Sequence, residues 1–145
     1  MISRRKILQR GVAAASLPLL AGWLPIQTAS ARALEHTDLY KVLVDTRFSA
    51  ARAFGREAQW RGEAVHEFEG DITSVWYEDL HPRWKKSPAA IAGLTAHGAL
   101  FCLERLSWDV GMRVVYRAEQ LHEGRAPGHE PMYSWLIAPV ARRTA

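Results

Sequence analysis

Six residues of this chain have the types and placement to handle a polar ligand: Asp45, Arg47, Asp71, Thr95, His97 and Arg117. Each falls where an apolar run ends and the next segment begins. Asp45 closes Tyr40-Lys41-Val42-Leu43-Val44, Asp71 follows Gly70, Thr95 follows Gly93-Leu94, and Arg117 follows Val114-Val115-Tyr116. Arginine presents a fork of N–H donors that matches a carboxylate or phosphate. A threonine hydroxyl beside the N–H groups of a helix start can hold an anion, and histidine adds a group that titrates near neutrality. A competing assignment uses the same residues without a ligand: Asp45 and Asp71 cap helices and the arginines pair with the acids.

Other chemistries lack their residues. No Gly-x-Gly-x-x-Gly fingerprint, Gly-Lys-Ser/Thr phosphate loop or Gly-x-Ser-x-Gly elbow occurs. The six histidines form no His-x-x-x-His pair, and Cys102 is the only cysteine, so neither a metal site nor a cofactor is expected. The cysteine count also rules out an internal disulfide. Flanked by Leu100-Phe101 and Leu103, Cys102 suits an inert buried thiol, and His97 suits a core histidine as well as a ligand. Catalytic residues are not assigned.

Periodicity supplies the elements that must position these groups. Residues 40–45 form a compact apolar run, the pattern of a buried strand. Residues 48–61 repeat apolar positions at helical spacing and stop at Gly62. A second strand spans 64–69, and a helix capped by Asp71 runs from 72 to 80, ending before His81-Pro82. Residues 83–88 read as a connector, and 89–95 as a short strand ending at Gly93 or the start of a helix. Leu100, Leu103, Leu106 and Val110 mark a helix over 96–110, stopped by Gly111, and 112–117 form a strand. A loop over 119–131 leads to an edge strand at 132–138, ended by Pro139, and a frayed tail at 141–145. This alternation predicts an α/β domain of three layers, a mostly parallel sheet of three to five strands flanked by helices in a Rossmann-like arrangement. Ligands of such sheets sit beyond the carboxyl ends of the strands, where the six polar residues fall.

The first 33 residues differ in kind. Arg4, Arg5, Lys6, Arg10 and Arg32 lie there with no Asp or Glu. An apolar stretch from Gly11 to Leu24, interrupted by Pro18 and Gly22, is too short for a confident membrane span. Ala29-Ser30-Ala31 and Ala31-Arg32-Ala33 then offer small-residue cleavage sites, the second preferred. The opening Ser3-Arg4-Arg5-Lys6-Ile7-Leu8 resembles the twin-arginine export consensus. That resemblance covers the leader alone and implies recognition by the twin-arginine translocase, export in the folded state and a bacterial periplasmic location. Contact with the membrane is then confined to export. Proteins on this route often carry a cofactor or travel with a partner, so a cofactor-bearing redox enzyme is the partner the resemblance suggests.

Removing the leader also changes the charge argument. The whole chain has 145 residues, a formal charge of +4 and a sequence pI of about 9.6. Without the leader's five basic residues, fourteen of the nineteen remain against fifteen acids, a formal charge of −1. A nucleic-acid partner loses its electrostatic support. Residues 34–145 are long enough for one modest core. They keep five tryptophans, at 60, 76, 84, 108 and 135. That surplus predicts an exposed aromatic patch and, with no catalytic motif, favours a non-catalytic accessory protein over the alternative, a small-ligand or cofactor-binding domain using the strand ends.

Overall fold

The computed structural model describes residues 38–120 and 130–140, and the proposed leader lies outside the described residues. Five strands form one mixed sheet in the order β2-β1-β3-β5-β4: β1 (Leu39–Asp45), β2 (Val65–Phe68), β3 (Ala90–Ala96), β4 (Met112–Gln120) and β5 (Met132–Pro139). β1 pairs in parallel with β2 and β3, whereas β5 runs antiparallel to both β3 and β4. The α/β class holds, and the expected mostly parallel sheet is corrected to a mixed one. The expected edge strand is corrected too. β5 lies inside the sheet, and its side chains from Ser134 to Ile137 are buried on both faces. Pro139 stays compatible with this position because it is the last residue of the strand.

Helix α1 (Ser49–Trp60) joins β1 to β2. Its buried Ala51, Phe54 and Ala58, spaced three and four apart, pack on one sheet face with Val42, Val44, Ala92 and Leu136. Three abutting helical stretches join β2 to β3: α2 (Thr73–Val75), a π-helical turn (Trp76–Leu80) and α3 (His81–Lys86). The helical path therefore continues through the segment expected to be a connector, because Pro82 enters in the first turn of α3, where its missing N–H is tolerated. These stretches and α4 (His97–Ser107) cover the opposite face, packing Trp76, Leu80, Trp84, Leu100 and Leu103 on Leu43, Ile91, Trp135 and Ile137. The connection from β1 moves one way along the sheet and the next moves the other way. Crossovers of one hand must then lie on opposite faces, as these do.

Large side chains replace the disulfide that this domain cannot form. Trp84 and Trp135 are buried, and each satisfies its indole N–H, Trp84 on the Ala89 carbonyl at 2.8 Å and Trp135 on Thr95 Oγ1 at 3.0 Å. Burial of each large apolar side chain contributes about 1.5–3 kcal/mol. Trp135 needs room that only Gly93 leaves: a Cβ there would lie 2.3 Å from the Trp135 ring and 2.9 Å from the Leu43 carbonyl oxygen.

Candidate strand-end cleft

The direction of the connections reverses between β1 and β3, and the crevice at such a point, beyond the carboxyl ends of the strands, is where open α/β sheets hold ligands. A cleft of about 390 Å³ lies there. The turn after β1 supplies Arg47, the turn after β2 supplies Gly70, Asp71, Ile72 and Thr73, and the π-helical turn supplies Tyr77. Helix α4 lends Gly98, Ala99, Cys102 and Leu106, and Glu130 enters just before β5.

The polar end of this cleft is built around a buried acid. Asp45 is 0% exposed, and Arg47 donates to its carboxylate from Nε at 3.0 Å and from Nη2 at 2.7 Å. The Arg47 backbone N–H adds a bond to Asp45 Oδ1 at 3.2 Å, and Phe48 N–H closes the turn on the Asp45 carbonyl. The hydrogen bond to Asp45 raises the Arg47 pKa, so the guanidinium stays charged. Glu130 sits 4.0 Å from the same Nη2. In the neighbouring turn after β2, the Thr73 N–H donates to Asp71 Oδ1 at 2.8 Å at the start of α2. Hydrogen bonding from Thr73, side chain first and then backbone, lowers the Asp71 pKa and keeps the acid ionised.

The six residues expected at a polar rim therefore separate. Arg47 and Asp71 line the cleft, and Asp45 lies beneath Arg47. His97 opens α4 beside Gly98, but it is exposed rather than a core histidine, its ring stacked 6.2 Å from Phe101 and tilted against Tyr133 at 5.7 Å. Thr95 is buried and spends its oxygen on Trp135, so it does not reach the rim. Arg117 stands apart from the cleft and pairs with Glu104 at 2.5 Å. Both misplacements share a cause: β3 runs on to Ala96 and β4 to Gln120, so Thr95 and Arg117 lie within strands rather than beyond them.

Cys102 is the clearest correction. Its thiol is exposed and lines the cleft. The apolar neighbours Leu100 and Leu103 turn inward, whereas Gly98, Cys102 and Leu106 recur every four residues along the side of α4 that borders the cleft. That spacing was the sequence signal for this wall. Tyr77 carried only its aromatic character as a signal, and Glu130 carried none.

Among the described residues, no three His, Cys, Asp or Glu side chains gather as metal ligands, and no helix is long and apolar enough to cross a membrane. Exposed aromatics do occur: Trp60 at the end of α1 is 86% exposed, Tyr77 65% and Phe101 53%. No protein-family model, curated protein or solved structure matches this chain.

Proposed function

We propose that this chain is an exported periplasmic module that binds a small molecule in the strand-end cleft. The observation that carries this proposal is the coincidence of a cleft of about 390 Å³, within the size range of small-molecule sites, with the reversal point between β1 and β3. The charged end at Arg47, Asp71 and Glu130 orients a ligand, and the wall of Ile72, Ala99, Cys102 and Leu106 takes its apolar part. Export through the twin-arginine translocase rests on Arg4 and Arg5 in the leader. Filling the cleft tests the proposal. A Cβ at Gly98 meets nothing within 4 Å, and replacing a helical glycine favours the helix by up to about 1 kcal/mol. Gly98→Phe is therefore expected to keep full thermal stability while abolishing the small ligand retained by the wild-type protein in native mass spectra. An unchanged ligand peak in the variant, or no retained ligand in wild type, contradicts the proposal.

A second function is favoured by Trp60. An indole with most of its surface in water at a helix end is the type of side chain that anchors protein interfaces. In this case the domain is an accessory subunit exported with a partner, for which a cofactor-bearing redox enzyme is the candidate.

A further inference from the structure

The cleft proposal can be taken one step further, to the charge of the ligand. We infer that the cleft selects a small organic cation with an apolar body, an amine rather than a carboxylate or a phosphate. This inference rests on the cleft being a ligand site at all.

Among the described residues, Arg47 is the one cationic side chain lining the cleft, and two of its nitrogens are already paired. Two of its nitrogens hold the buried Asp45 carboxylate, which has no solvent to turn to if the arginine leaves. Glu130 approaches the same guanidinium at 4.0 Å. Asp71 faces the cleft as well, fixed by the Thr73 N–H at 2.8 Å. Counted over the described residues, Asp45, Asp71 and Glu130 set against Arg47 give this end of the cleft a formal charge of −2. An incoming anion would have to share a guanidinium already paired with a buried carboxylate and lie beside two further acids. An incoming ammonium meets two carboxylates whose charges Arg47 does not fully balance. Tyr77 adds an exposed aromatic ring, whose face attracts cations. Ala99, Cys102 and Leu106 give the ligand's hydrocarbon a surface on which to leave water.

Three probes of nearly equal size separate the outcomes on the full-length protein: phenethylammonium, 3-phenylpropanoate and 2-phenylethanol. Binding is read from the amide shifts of Asp71, Gly98 and Cys102, and from protection of Cys102, the only thiol of the chain, against iodoacetamide. The ammonium is expected to bind at least about tenfold more tightly than the carboxylate, the size of effect expected from charges a few ångströms apart near a protein surface. The double variant Asp71→Asn, Glu130→Gln is expected to remove most of that preference, with the ammonium losing more affinity than the alcohol. Asparagine still accepts the Thr73 N–H, so the turn survives. A carboxylate that binds as tightly as the ammonium, or a double variant that keeps the preference, overturns the cation inference but leaves the cleft as a site. If no probe shifts these amides or protects Cys102, both the inference and the cleft proposal fall.

Discussion

Gly70 holds the polar end of the cleft together, and replacing it with alanine measures by how much. Its φ is +77°, a region that costs a residue with a Cβ about 1–2 kcal/mol. Alanine recovers about 0.4–1 kcal/mol by restricting the unfolded chain, so backbone strain alone predicts a net loss of about 1 kcal/mol. Gly70 differs from other turn glycines in what lies above it. A Cβ there would stand 2.7 Å from Arg47 Cζ and 2.9 Å from Nη1, so the guanidinium must move off Asp45 or tilt. Hydrogen bonds to charged groups contribute about 1.5–3 kcal/mol, and with Arg47 46% exposed the lower end applies. Gly70→Ala should therefore lose about 2.5 kcal/mol in urea denaturation. Gly62→Ala is the control, because its φ is +86° and a Cβ there meets nothing within 4 Å. It should lose only about 1 kcal/mol, the strain figure alone. Equal losses at the two positions would refute the claim that Arg47 is clamped between Gly70 and Asp45.

Further outcomes follow from other parts of the molecule. Asp79 accepts the Tyr40 hydroxyl at 2.7 Å and pairs with Lys41. Burial opposes its ionisation, but the hydrogen bonds from Lys41 and Tyr40 outweigh burial and lower its pKa. A carboxylate with a depressed folded pKa stabilises fully above its unfolded value, near 3.9, and loses that contribution as pH falls through the folded value. Urea midpoints measured from about pH 5 down to pH 2 should therefore fall less steeply for Asp79→Asn than for wild type; parallel slopes would contradict this. The same contact, chiefly the hydrogen bond to Asp79, raises the Tyr40 pKa, so its contribution is present below about pH 10 and fades above it. Trp60→Ser should change stability by no more than about 0.5 kcal/mol, as expected for an exposed side chain. If the accessory-subunit function holds, that variant should lose a protein that co-purifies with wild type, and changing Arg4 and Arg5 to Lys should retain both proteins in the cytoplasm. Co-purification and export that ignore all three side chains would remove that function.

The parts of the fold that were legible are those whose signal is local. β1, α1, β2 and β4 lie within a few residues of where the apolar periodicity puts them, whereas the N-cap expected at Asp71 falls to Ile72 and Asp71, one residue earlier, accepts the Thr73 N–H. What escaped was set by partners distant in the chain. Residues 132–138 read as an edge strand ended by Pro139, but only the neighbours β3 and β4 decide that β5 is interior. Its two buried faces are the pattern of a central strand. Asp45, Arg47 and Asp71 were legible as site candidates because strand ends converge in any such sheet. Tyr77, Cys102 and Glu130 join them through a helical segment, a helix side and a strand entrance that pack around the crevice only in three dimensions. Arg117 has the right chemistry for the site, but β4 carries it past Glu104 before the strand ends.

The most direct measurement of the central claim is a fragment screen by amide chemical shifts on the whole protein, without prior choice of ligand class. Weak binders are predicted to concentrate their shifts on Arg47, on residues 70–73 and on residues 98–102, which surround the crevice beyond β1 and β3. Shifts that gather instead around Trp60, or fragments that find no common place on the molecule, would contradict a small-molecule site at the strand ends.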